Sequence, residues 1–294
     1  MSELRTRLQR AGHTTLRYLQ VARLSPPLPL LLPLAPLAGA TLLASGGTPA
    51  VMPTLALVLA TLALWGLAWS LNDLTNARDA DHASSLIARG VLTPRAAFWF
   101  ALLLGVLALL IFAGLGVRVM ALASLPLLVA LSYPWLRRST FLIDTWLGLG
   151  IAWTVPLAYG AQQHWPDKLG ALLGVVTLLW ATGWWVLRAW PQQDAMMARG
   201  VRTLGLMFGQ ASGYLVIVLQ LAMLLGAWMA GSQGAFGTPF SVALGVSALL
   251  VSGEVLLLQQ QKSHAVPVAL QLHLFSGVAL WLGVALHFLA DTSG

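Results

Sequence analysis

The sequence predicts an all-α fold, an integral membrane bundle of about nine transmembrane helices, and three observations carry that prediction. Only 9% of the 294 residues are charged while 58% are apolar, against roughly 25% charged in an ordinary soluble domain. Apolar windows of about 20 residues, enough for a helix to cross a hydrocarbon core, recur along the chain. The cations are also unevenly placed: of 16 lysines and arginines, only Arg118 and Lys168 fall on one side of the predicted spans. By the positive-inside rule that side is outside, with the amino terminus in the cytoplasm and the carboxyl terminus outside.

The elements follow in order. Residues 1–25 interleave Arg5, Arg7, Arg10, Arg17 and Arg23 with Leu4, Leu8, Leu16, Leu19 and Val21, a basic amphipathic pattern suited to an anionic membrane surface. Residues 26–294 form one transmembrane domain. Its first span, 27–45, begins after no cleavable signal and carries Pro29 and Pro33, which predicts a kinked helix. Spans near 53–71, 97–117, 119–136, 142–161, 169–188, 204–230, 238–258 and 267–289 complete the nine. The two longest inner loops, 72–96 and 189–203, carry matching hexapeptides, Ala88-Arg-Gly-Val-Leu-Thr93 and Ala198-Arg-Gly-Val-Arg-Thr203. The match points to a duplicated architecture.

Composition also excludes functions. Cysteine is absent, which removes disulfides, thiolate catalysis and cysteine metal sites. The net charge of +7 reads as membrane topology rather than nucleic-acid binding, because no basic patch interleaved with aromatics appears.

The chemistry collects at three polar islands. Residues 71–94 hold Asp73, Asp79 and Asp81, three of the chain's nine acidic residues, directly after an apolar span. With Asn72 and Asn76 they form a set of hard oxygen donors of the kind that suits Mg²⁺, which usually takes one or two carboxylates plus substrate phosphates. In helical register Asn72, Asp73 and Asn76 share a face and Asp79 continues the Asn76 row. Arg78 and Arg89 are the residue type that grips diphosphate oxygens in a fork, although topology explains either equally well. The second island contains Tyr133, Arg137 and Arg138, where an arginine would capture an anionic acceptor or anchor the span end. The third contains Asp194 alone among Gln192 and Gln193, a weak metal site. Asp144 and Glu254 fall at or within spans, Glu254 near an inner end from which it could snorkel. His273 and His287 read as hydrogen-bonded core or interface groups.

With these residues in view, the chain resembles the UbiA superfamily of intramembrane prenyltransferases, especially its 4-hydroxybenzoate polyprenyltransferase branch. Arg23-Leu24, Asn72-Asp73, Tyr133-Pro134-x-x-x-Arg138, Gly148, Trp153, Pro156, Gly200-x-x-Thr203 and Phe208-Gly209-Gln210 carry the likeness. It implies Mg²⁺-dependent transfer of a polyprenyl chain from polyprenyl diphosphate to a small aromatic acid, as in quinone biosynthesis, within the lipid bilayer of a bacterial inner membrane. It also implies catalytic roles for Asp73, Asp79, Asp81 and Asp194, with Asp73, Asn76, Asp81 and Asp194 on the metal. Asn72, Asn76, Arg78, Arg89, Tyr133 and Arg138 would contact substrate, Arg138 at the acceptor's carboxylate and Arg137 toward lipid headgroups.

The sequence departs from the family's pattern where the metal should bind. The family's NDxxDxxxD motif, laid without gaps from Asn72 and supported by His82 and Arg89, puts its second and third aspartates on Asn76 and Ala80. The second motif, DxxxD, falls on Gln192 and Met196. The expectation is therefore one weakly held ion and slow or absent turnover, with the loops of Asp81 and Asp194 converging over one cavity. Three readings follow: a working prenyltransferase, a lapsed relative that binds a prenyl lipid or an enzyme partner, and a transporter. The last is weakened by the expectation that no ionisable pair is buried in mid-span.

Overall fold

The computed structural model describes residues 15–77, 85–90, 92–260 and 265–291, and they contain helices and no strand. A helical turn at 15–21 precedes α1 (Leu31–Ala44), α2 (Val51–Asn76), α3 (Pro94–Gly114), α4 (Val117–Leu136), α5 (Ile143–Ala152), α6 (Thr154–Ala161) and α7 (Lys168–Ala189). After these come the short α8 (Gln193–Ala198) and α9 (Leu204–Phe208), then α10 (Ser212–Gln233), α11 (Thr238–Gln259) and α12 (Val266–Asp291).

Among the described residues, seven helices are long and apolar enough to cross a membrane. The other two expected spans are shorter. The first is the apolar stretch Leu28–Ala44, where Pro36 interrupts the backbone donors of α1. The second is broken into α5 and α6 at Trp153, which caps the end of one and the start of the other. Pro156 lies in the first turn of α6, where a missing N–H is tolerated.

Helix α7 is the bundle's post: 61% of its span is buried, against 22% for α3. It packs on α5, α10 and α12, while α2 packs on α3 and α4, and α1 on α12 and α6. Close approach sets the α5–α7 contact, because a Cβ at Gly148 would lie 2.5 Å from the Thr182 hydroxyl oxygen. The outer faces of α3, α10 and α11 expose Leu110, Val218, Leu225, Leu249 and Leu256, the surface that lipid would cover.

The described residues of the two hexapeptides share a glycine turn and a threonine cap. Gly90 and Gly200 take left-handed backbones, with φ of 71° and 67°, and each ends a turn in a conformation that glycine adopts without a Cβ penalty. Three residues on, Thr93 accepts from the Ala96 N–H at 3.2 Å and Thr203 from the Leu206 N–H at 3.0 Å. Each threonine thus starts the next helix as an N-cap. The sequence match therefore encodes the same stop-turn-start device at the end of each inner loop.

One polar cluster corrects two expectations. Glu254 on α11 does not snorkel; it is 1% exposed and bonds His273 of α12 at 2.9 Å. The amide of Gln220 on α10 donates to Glu254 at 2.7 Å, and His273 Nε2 lies 2.8 Å from the Trp180 carbonyl. An ionisable pair is thus buried within the spans, contrary to the expectation of none. Polar groups at such depth need partners, and four helices contribute to this cluster, with Gln220 Oε1 left without one.

Candidate active site

The site forms where the ends of α2, α4 and α7 meet the chain from Gln192 to Thr203. Together with Arg23 and the start of α5 they line a polar cavity whose empty space, counted out to open solvent, is about 1120 Å³. Asn72, Asp73, Asn76, Tyr133, Gln192 and Met196 line it, so the described parts of both inner loops do converge on one space. A backbone hydrogen bond of 2.7 Å from the Arg202 N–H to the Arg137 carbonyl ties the second loop to the end of α4.

Arg137 organises this floor. It is 6% exposed, and its Nη1 donates to the Asn72 side-chain oxygen at 3.2 Å while Nη2 donates to that of Asn76. Asn76 Nδ2 donates in turn to Asn72 Oδ1 at 3.2 Å, one helical turn away. Arg137 also hydrogen-bonds the Tyr133 hydroxyl. The expected assignment of the two arginines is therefore reversed. Arg138 is exposed and absent from the cavity lining, and Arg137 faces inward. A step of one residue at a helix end turns a side chain by about 100°, and the Tyr-Pro motif does not say which of the pair points in.

Asp194 is likewise corrected. It is exposed on α8 and does not line the cavity, whereas Gln192 and Met196, four apart, do. The positions that would carry the second acidic motif are thus correctly placed but hold the wrong chemistry. Arg78, Asp79 and Asp81 lie outside the described residues. Arg89 is exposed and borders a second polar hollow of about 570 Å³, shared with Gln20, Arg23, Ser25 and Asp73.

Four lining residues escaped the sequence reading. Asp144, 3% exposed on α5, accepts the Leu204 N–H at 2.8 Å and also that of Gly205, holding the start of α9 against the cavity. Arg23 and Arg188 both stack on the Trp69 indole, at 5.4 and 5.8 Å from its centroid, and Arg188 also lies 5.2 Å from Trp184. Arg23 reaches inward from a left-handed backbone with φ of 53°, a strained state that clusters at functional sites. Arg199 completes the set. In the sequence these arginines were indistinguishable from topological anchors.

The donor set of the described residues does not fit Mg²⁺. The oxygens of Asn72 and Asn76 already accept from a guanidinium, Asp144 is committed to backbone N–H groups, and Met196 offers a thioether where a hard ion needs oxygen. Asp73, 4% exposed, is the remaining carboxylate of the cavity lining among the described residues. Among the described residues no three acidic or histidine side chains cluster as a metal site would.

Below the polar cavity lies an apolar one of about 740 Å³ lined by Pro33, Leu64, Trp65, Pro126, Ile151 and Leu157 among others. The two share Trp69, Tyr133, Leu147 and Trp185 as common wall. A cationic chamber set against a greasy one, with four residues in common, inside a helical membrane bundle suits a lipid with an anionic head. Residues 33–289 match the UbiA prenyltransferase family, and the chain belongs to that family. It is 28% identical over 282 residues to a 4-hydroxybenzoate octaprenyltransferase of Aeromonas salmonicida (strain A449), covering 93% of this chain and 96% of that protein. A second protein of that name, from Hahella chejuensis (strain KCTC 2396), is 27% identical over 92% of each chain. Among solved structures, a UbiA homologue from Aeropyrum pernix K1 superposes with a TM-score of 0.72 at 17% identity, covering 90% of this chain and 98% of its own. One from Archaeoglobus fulgidus, bound to GPP and Mg²⁺, gives 0.67 at 12% identity, covering 92% and 99%.

Proposed function

We propose that this chain transfers a polyprenyl group from polyprenyl diphosphate to a small aromatic acid such as 4-hydroxybenzoate, in a bacterial inner membrane. The observation that carries the reading is the pair of adjoining chambers, one cationic and one apolar, that share Trp69, Tyr133, Leu147 and Trp185. The diphosphate belongs in the first, beside Arg137 and Arg188, and the isoprenoid tail in the second. The allylic carbon would then lie near the shared wall, where the π faces of Trp69, Tyr133 and Trp185 favour a developing cation. Loss of diphosphate with its bonding electron pair leaves that cation in a space without bulk water. The aromatic ring attacks it, a carbon–carbon bond forms, and the ring proton departs.

The acceptor's polarity has support of its own. Thr61 Oγ1, Trp65 Nε1 and Trp185 Nε1 are buried without a protein partner, and all three residues line the apolar chamber. Unpaired buried donors are costly, and a ring bearing oxygen substituents would satisfy them. The names of the curated relatives, and the GPP bound in the Archaeoglobus fulgidus homologue, support the same substrate classes. The test is incubation of protein in detergent or liposomes with polyprenyl diphosphate, radiolabelled 4-hydroxybenzoate and Mg²⁺. Label passing into the organic phase as prenylated acid is the expected result. Its absence, with folded protein that still binds the diphosphate, would leave a lipid-binding relative without chemistry.

A further inference from the structure

Among the described residues, the cavity lining contains four arginines, Arg23, Arg137, Arg188 and Arg199, against two aspartates, of which Asp144 is spent on capping α9. Arg137 occupies the amide oxygens of Asn72 and Asn76, the row of donors that would otherwise take a metal. Arg23 and Arg188 face each other's charge across the Trp69 ring, and neither forms an ion pair among the described residues. The Nε of Arg23 is buried without a hydrogen-bond partner. Like charges held together at an apolar wall repel, and the repulsion is relieved when an anion enters.

We propose that this chain binds the diphosphate of an isoprenoid donor through its arginines, with no divalent cation bridging diphosphate to protein. The inference rests on the reading above for the identity of the ligand, but not on turnover. Its physical basis is substitution of one cation by another. A guanidinium fixed by two amide oxygens brings permanent positive charge and forked N–H donors to the floor of the cavity. Arg188, stacked between Trp69 and Trp184, presents a second from the opposite helix. Each charge-assisted bond to a phosphate oxygen is about twice as strong as a neutral one, so two or three can replace a bridging ion. The same arginines oppose binding of Mg²⁺ by itself, since an approaching dication meets their charge.

The test is binding of inorganic pyrophosphate to purified full-length protein by calorimetry, once in excess EDTA and once in millimolar Mg²⁺. The expected dissociation constants agree within about threefold, and Arg188→Gln or Arg23→Gln weakens binding in EDTA by about tenfold or more. Exposed Arg95→Gln leaves it unchanged. Binding that vanishes in EDTA and returns with Mg²⁺ overturns the proposal, and so does an absence of binding in both. Should an arginine variant fail to purify folded, the comparison with and without EDTA decides alone. Competition identifies the source of the phosphate: geranyl diphosphate should displace pyrophosphate. Displacement by phosphatidylglycerol alone would assign the site to a lipid headgroup and defeat the proposal. A Mg²⁺-dependent enzyme that transfers prenyl groups would refute this inference and leave the proposed function standing. Metal-free binding without transfer would do the reverse.

Discussion

At the scale of single residues, the direction of a side chain decides function, and one position matters as much as the residue type. Arg137 and Arg138 are adjacent and identical in type, yet one is fixed by Asn72 and Asn76 while the other is exposed. Lysine cannot reproduce that fork. Arg137→Lys should therefore lower prenyl transfer by about tenfold or more, whereas Arg138→Lys should stay within about twofold, and initial rates measured side by side check it. Equal losses would mean that Arg137 has no special place. A second prediction uses the two vacant motif positions. Gln192 and Met196 line the cavity four residues apart, so Gln192→Asp with Met196→Asp would build a carboxylate pair. Pyrophosphate binding by that variant should rise about tenfold or more on adding Mg²⁺, unlike that of the parent. The motif gaps were legible in the sequence because they are substitutions of type at fixed spacing. Which arginine points inward was not, because that depends on where α4 stops.

At the scale of helices, hydropathy revealed the long spans, and the hexapeptide revealed a turn that the structure repeats. The polar contacts that join helices were invisible, since Gln220, Glu254 and His273 lie far apart in sequence and each looks like an isolated polar residue in an apolar run. Removing one member of a buried hydrogen-bonded pair leaves the other without its partner. Glu254→Ala should cost about 1–3 kcal/mol of stability, seen as earlier thermal denaturation in detergent, without any change in which substrate is accepted. A melting point equal to the parent's would show that the cluster is solvated. Asp144 presents the same lesson closer to the site, because a carboxylate at a span end gave no hint that it caps a helix 60 residues further on.

At the scale of the molecule, the charge asymmetry of the loops is the ground for proposing that the cationic cavity faces the cytoplasm. Arg118 reaches the Gln163 carbonyl and stacks on Trp165 at 5.4 Å, at the other end of α4 from Arg137. The chain has no cysteine, so single substitutions report topology without background. Ser139→Cys should react with a membrane-impermeant maleimide only from the cytoplasmic side, and Gln163→Cys only from outside; labelling of both from one side would refute the orientation. The two-chamber substrate site is checked by determining the structure with a non-cleavable geranyl thiolodiphosphate. Its diphosphate should lie against Arg137 and Arg188 and its tail among Trp65, Pro126 and Ile151. A tail lying in the polar cavity, or a ligand bound elsewhere on the bundle, would contradict that placement.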